Sequence, residues 1–474
     1  MSWSGFIAAA IVLLLVVLFV RMFLFRSLQK KEGPSGSIQI DTEKAANRLA
    51  GAVRIPTLSF NEGKEVDREP FKQFRDYLAA QFPQAYQTLK HEIVADDSLL
   101  YTWEGSNPEL KPILLLAHSD VVPAIEEIGK EWTHKPFSGD VAEGFIWGRG
   151  SLDDKVSALG ILEAIDYLVA QGLKPERTIL LAIGHDEEIG GLNGAKNVSK
   201  VLSERGVQVE YILDEGGVVI DGMMGNLSLA TVGIAEKGYV TLKLSVEGTP
   251  GHSSQPPAHT SIGILSAAIQ RIESHPRPLR VGGVMAAMLR YLGPEMPFLN
   301  RLMLANTWLF GPLVARTLAK QPAMNAMMRT TSAVTLISGG TKDNILPATA
   351  TTSINCRILP GETVQGTMDY IREQANDPRV NVEIVSGFCN EPSPVSSVDS
   401  PVFNSIQKTI SQIFPQAVVV PYLTVGGTDT KHYVGLTQHI FRFLPVALKS
   451  ADLGRMHGRD ERIQVDAYRD TVRF

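Results

Sequence analysis

Three short apolar runs, each ending in a cluster of ionisable side chains, constrain this chain more than any other feature. Residues 112–117 (Pro-Ile-Leu-Leu-Leu-Ala) lead into His118 and Asp120, residues 178–183 into Gly184-His185-Asp186-Glu187-Glu188, and residues 211–213 into Asp214-Glu215. Uninterrupted apolar runs of this length, bounded by turn signals, predict strands buried on both faces. Between the first two lies a helix over 156–170, apolar at helical spacing, stopping at Gly172 with Pro175 beyond. Strand, helix and strand in that order read as βαβ units, so the predicted fold is α/β with a mainly parallel sheet covered by helices. Ligands of such sheets bind outside the carboxyl ends of the strands, which is where the polar clusters fall.

The middle of the chain changes character. Residues 239–247 alternate with period two and residues 349–358 do so more loosely, with a helix over 260–273 between them. This predicts an inserted α+β domain at 236–390, dividing the rest of the body into 41–235 and 391–474. Residues 285–328 hold seven of the 13 methionines. Adaptable helix packing is the favoured reading, and a flexible apolar wall for a greasy substrate is the other.

The N-terminus departs from the rest. Residues 6–20 are apolar and uncharged, and Met22 to Phe25 extend the run beyond Arg21. About 20 helical residues span a hydrocarbon core of about 30 Å. A cleaved signal peptide competes, but no basic residue precedes the run and no small-x-small site follows it. A single-pass transmembrane anchor in the lipid bilayer is therefore expected at 1–26, with a linker at 27–40 that is flexible at 33–37. Arg21, Arg26, Lys30 and Lys31 come at or after the end of the run, which votes for a cytoplasmic body and leaves the side of the membrane open.

Composition removes several alternatives. The formal charge is −5, and no dense Lys/Arg tract occurs beyond residue 31, so a nucleic-acid partner is not expected. Two cysteines, Cys356 and Cys389, make neither a disulfide framework nor a thiolate zinc site. Any metal must be held by histidines and carboxylates.

Two further motifs supply them. Gly148-Arg149-Gly150-Ser151-Leu152-Asp153-Asp154-Lys155 opens the helix at 156; helix capping explains one of its acids comfortably and two less well. Met456-His457-Gly458 becomes available if the C-terminus folds back onto the first domain. His118 and Asp120 share a face in extended backbone, so one can bind a metal while the other orients it. Adjacent Glu187 and Glu188 project differently, so one can ligate while the other acts as a base. Together the residues suit one or two borderline divalent ions such as Zn²⁺, and a hydrolase built on them.

These motifs resemble the M20 family of metallopeptidases, especially its carboxypeptidase S and N-acyl-amino-acid hydrolase branch, from about residue 45 onward. Glu-Trp-Thr-His-Lys-Pro-Phe-Ser-Gly at 131–139 and Gly-Arg-Gly at 148–150 are family-like, and Leu-Gly-Pro-Glu-Met-Pro-Phe at 292–298 points to the branch. The resemblance implies a zinc-peptidase-like catalytic domain with an inserted lid/dimerisation domain and two Zn²⁺ ions per subunit. Asp153 would bridge the ions, His118 and Asp214 would complete one, and Glu188 and His457 the other. Glu187 would be the general base and Asp120 the partner of His118. His252 in Gly-His-Ser-Ser would stabilise the oxyanion, often from a partner subunit. Asn344 and Arg357 would hold the substrate carboxylate, with a strand-surface charge as the plainer reading of Arg357. Gly426-Gly427-Thr428-Asp429 would line the pocket.

The implied activity is a membrane-anchored zinc hydrolase cleaving an amide bond beside a free carboxylate, in a small peptide or an N-acyl amino acid, as a homodimer through the lid. Deacetylation or aminoacylase action on another small metabolite is one alternative. A non-catalytic anchored binding protein is the other, and it predicts lost ligand positions where none is missing. Relatives in this branch are often lumenal or secreted, contrary to the charge vote.

Overall fold

A computed structural model describes residues 3–33, 38–60, 66–124, 131–224, 227–385, 387 and 389–474. They form two compact units. The larger comprises Leu28–Ile234, Ser396–Tyr422 and Thr428–Phe474. It is built on a ten-stranded sheet, in whose centre the strands Ile179–Gly184, Ile113–His118, Ile212–Asp214 and Ile440–Arg442 run parallel. Outside the centre the pairing turns antiparallel, with Lys90–Val94 and Ser98–Trp103 on one side and Leu227–Glu236 on the other, where the edge strand Ala447–Lys449 again pairs parallel. The sheet is therefore mixed rather than mainly parallel. Connections as short as Ala95–Asp97 can join only antiparallel neighbours, whereas each central strand is reached by a longer crossover.

Alternation along the central strands divides the core. Leu114, Leu116, Leu180 and Ala182 pack with Val198 and Leu202 of the helix Ala195–Glu204. Leu181 and Ile183 face the opposite way, towards Val156, Leu159 and Leu162 of the helix Lys155–Ala170. From the His118 strand the chain crosses through Lys155–Ala170 to one neighbour, then through Ala195–Glu204 to the neighbour on the other side. Strand order thus reverses at the His118 strand, the switch point at which α/β sheets hold ligands.

Gly217, just beyond the Asp214-Glu215 pair, has no room for a side chain: an added Cβ would lie 1.8 Å from the Thr231 carbonyl oxygen. Gly217→Ala must push backbone from backbone, so we expect a loss of about 1–3 kcal/mol or more. It should appear as a lower urea midpoint with an unchanged slope.

The smaller unit comprises Met1–Ser27, Ala235–Val395 and Leu423–Gly427. Its antiparallel sheet runs in the order Thr331–Gly339, Thr349–Ile358, Gly238–Glu247, Val380–Ile384. Gly238–Glu247 alternates buried and partly exposed residues, as its period-two pattern predicts. The helices Ser261–Ser274 and Val364–Ala375 close its dry face over Val240, Leu244 and Ile354. Four helices, Gly283–Leu292, Phe298–Ala305, Thr307–Leu318 and Pro322–Met328, follow one another before Thr331. Met285, Met288, Met324, Met327 and Met328 are buried, so most of the methionine-rich stretch serves packing.

The N-terminal helix, Trp3–Leu24, is long and apolar enough to cross a membrane, and only Leu18 and Met22 on it are buried. Of the linker expected at 27–40, residues 34–37 lie outside the described residues. Before them, the Gln29 amide bonds both the N–H and the carbonyl of Val419, and the Glu32 N–H donates to Ser411 Oγ.

Candidate metal centre

Two groups of side chains able to hold a metal ion meet at the carboxyl ends of the parallel strands: His118 with Asp153 and Glu188, and His118 with Asp154 and Glu215. His118 ends its strand and is almost fully buried. Its Nδ1 lies 3.0 Å from the carbonyl oxygen of Asp120, which can only accept, so Nδ1 carries a hydrogen and Nε2 is the atom left for a metal. Nε2 faces Asp153 Oδ1 at 3.0 Å and Glu215 Oε1 at 3.5 Å. The second oxygen of Asp153 lies 2.8 Å from His457 Nε2, which also meets Glu188 at 3.1 Å. One carboxylate therefore offers an oxygen to each of two histidines.

The electrostatics ask for positive charge. Burial raises the pKa values of Asp154, Glu187, Glu188 and Glu215, and pushes Asp429 up to about 8. Asp153 is held well below the usual carboxylate range, because His118 and His457 outweigh its burial. Hydrogen bonds that His457 donates to Asp153 and Glu188 raise its pKa to about 10. A divalent cation among these nitrogens and oxygens would relieve the crowding of carboxylates, and the donor set suits zinc.

Asp120 ties the halves of the cluster together. Beside His118, it accepts from the backbone N–H groups of Glu187 and Glu188, both at 3.1 Å, and from Ser59 Oγ at 2.7 Å. Ser59 has no local sequence signal. A second device is a buried exchange between Arg149 and Glu461. The two form an ion pair, and Glu461 Oε1 accepts from the N–H groups of Gly150, Leu152 and Asp153 at 2.9, 2.8 and 3.2 Å. Arg149 in turn donates to the carbonyls of His457 at 3.0 Å and Gly458 at 3.2 Å. The acid thus holds the Asp153 loop while the base holds the His457 loop. Arg149 could be suspected from its Gly-Arg-Gly setting, whereas Glu461 sits in the charged run Arg-Asp-Glu-Arg and reads as surface.

Most of the expected cluster is brought together: His118, Asp120, Asp153, Glu187, Glu188 and His457. Asp214 is placed differently. Its Oδ1 accepts from the Glu215 N–H at 2.9 Å, and it belongs to neither metal-competent group, while Glu215 does. Asp429 fills a notch where a Cβ on Gly184 or Gly191 would meet its carboxylate. The remaining three expected residues belong to the smaller unit. His252 is exposed and bonds Ser254 Oγ at 2.7 Å, in a short ladder opposite Ile345. Asn344 accepts on its carbonyl from the Ser253 N–H at 3.1 Å. Arg357 stands 4.8 Å over the ring of Tyr239, its register partner.

Comparison with known proteins closes the question of kinship. Residues 114–474 match the family described as Peptidase family M20/M25/M40. Probable carboxypeptidase S-like 2 of Dictyostelium discoideum is 42% identical over 435 residues, which cover 90% of this chain and 83% of that protein. N-fatty-acyl-amino acid synthase/hydrolase PM20D1 of Xenopus tropicalis is 39% identical over 475 residues, covering 98% and 92%. Among solved structures, the M20 family metallo-carboxypeptidase Sso-CP2 from Sulfolobus solfataricus shares the fold with a TM-score of 0.66 at 17% identity, covering 92% of this chain and 97% of that one. A buried histidine–carboxylate cluster at the switch point, in a chain so closely related along its length, makes it a member of peptidase family M20/M25/M40, an enzyme of the metallopeptidase and amidohydrolase type.

Proposed function

We propose that this enzyme is a membrane-anchored dizinc hydrolase that cleaves an amide bond beside a free carboxylate, in small peptides or in N-acyl amino acids. The observation that carries the reading is Asp153, whose two oxygens face two different histidines at 3.0 and 2.8 Å. Asp153 would bridge the ions, with His118 and Glu215 completing one and Glu188 and His457 the other. Glu215 takes the place first given to Asp214, because its carboxylate is the one that faces His118. When bound, zinc supplies a Lewis acid for the scissile carbonyl and acidifies water beside it. Glu187 takes the proton of the attacking water and hands it to the departing nitrogen as the C–N bond breaks and the C–O bond remains. Asp120 keeps the His118 Nδ1 hydrogen engaged and fixes the turn that carries Glu187.

His252, Asn344 and Arg357 keep the roles that the resemblance assigns, oxyanion donor and carboxylate holders, in a lid at 236–390. The exposed strand Thr331–Gly339, with Leu336 and Ile337 in the open, supports pairing of two lids in a homodimer. The relatives' names favour both substrate classes, the one a carboxypeptidase S-like protein and the other an N-fatty-acyl-amino acid synthase/hydrolase. The Trp3–Leu24 helix supports the anchor.

Purified full-length protein should contain zinc and hydrolyse members of a panel that sets dipeptides against long-chain N-acyl amino acids. Protein without transition metal that stays inactive after zinc addition would end the proposal. Glu215→Gln should weaken zinc binding by more than the roughly 10–100-fold typical of a ligand's supporting partner, and Asp214→Asn by less. The opposite order in a zinc titration returns the ligand role to Asp214.

A further inference from the structure

The last third of the Trp3–Leu24 helix is not free. Asn306 Nδ2 donates to the Leu18 carbonyl at 3.0 Å, Arg21 Nε to the Ala305 carbonyl at 3.3 Å, and Arg301 to the Phe25 carbonyl at 2.8 Å. The rings of Phe19 and Phe298 lie 6.2 Å apart. At 1.5 Å per residue, Leu18 is roughly 9 Å inside the end of the helix. If that helix crosses a bilayer, whatever touches Leu18 is carried about as deep as an interfacial helix lies, roughly 5–10 Å.

The two short helices in that position are coloured for it. Phe298 is 59% exposed, Leu299 64%, Trp308 56%, Leu309 42% and Leu313 53%. Isolated exposed apolar side chains are ordinary, but five on two successive helices make a patch that marks an interaction surface. The charge is equally one-sided. Residues 296–342 contain five basic side chains and no acidic one, in a chain whose net charge is −5. Arg316 and Lys320 are exposed at the far end of the second helix.

We propose that Phe298–Ala305 and Thr307–Leu318 form a monotopic membrane seat, covered by a bilayer leaflet bearing anionic headgroups. Phe298, Leu299, Leu309 and Leu313 enter the acyl boundary, Trp308 lies at headgroup level, and Arg316 and Lys320 meet the anionic headgroups. The occupant is lipid rather than a second copy, because the face continues from an apolar helix of membrane-spanning length, carries no acidic side chain and ends in exposed basic ones. The inference rests on the anchor reading of Trp3–Leu24.

The test uses full-length protein carrying Trp3→Phe, reconstituted into phosphatidylcholine vesicles with and without phosphatidylserine, the lipids brominated close to the headgroup. Trp308 should lose most of its emission, more so with phosphatidylserine, and the quenched component should vanish in Trp308→Phe. Arg316→Glu with Lys320→Glu should abolish the phosphatidylserine increment. Chains that resist alkaline carbonate extraction yet show unquenched Trp308 overturn the seat and leave the anchor standing. Release of the chain by carbonate removes the anchor, and the seat with it.

Discussion

Glu187→Gln should fold, bind zinc as the parent does, and lose turnover by about 10²- to 10⁴-fold, the usual contribution of a positioned general base. The substitution keeps shape and removes only proton affinity. The Glu187 N–H still donates to Asp120, so the turn that carries the side chain keeps its anchor. Neighbouring Glu188 faces His457 and Asp153 and cannot take over without abandoning them. Zinc content and kcat measured on the same preparation check the point. Full turnover with normal zinc would move the base elsewhere.

Glu461→Ala should be the most damaging change outside the cluster. It leaves the Arg149 guanidinium buried without its carboxylate and removes the acceptor of three backbone N–H groups. Breaking a buried pair in this way costs about 3–5 kcal/mol. Because Glu461 holds the Asp153 loop and Arg149 the His457 loop, zinc affinity should fall as well. Denaturant unfolding and zinc titration measure the two losses. Glu461→Gln keeps an acceptor for the loop, so it should recover much of the zinc affinity. Equal behaviour of both variants would mean that the loop does not depend on this acceptor.

What could be read from sequence follows the range of the forces involved. The central strands were legible because burial on both faces leaves no polar residue inside them, and Gly238–Glu247 because one wet face writes a period of two. The antiparallel rims were not read, since pairing is set by the length of connections and the order of neighbours, and the central strand Ile440–Arg442 is too short to have a readable period. His118, Asp153 and Glu188 announce themselves by clustering at predicted strand and helix ends, whereas His457 takes its ligand role only from the family resemblance. Asp214 and Glu215 do not sort themselves: adjacent side chains leave a strand end in opposite directions, and only the three-dimensional position of His118 decides which one meets it. Glu461 and Ser59 act across 308 and 61 residues respectively, and nothing beside them in the chain hints at their partners.

The clamp between Arg149 and Glu461 also bears on how the protein is made. The ribosome emits Asp153 some 300 residues before Glu461, an interval of roughly 15–60 s at ordinary elongation rates. Throughout that time the Gly148–Asp154 segment lacks the acceptor for its N–H groups, and His118 lacks the distant histidine that shares Asp153 with it. A nascent chain can therefore assemble much of its central sheet while its metal-binding cluster is still incomplete. The histidine–carboxylate cluster is thus complete only after His457 and Glu461 have been made.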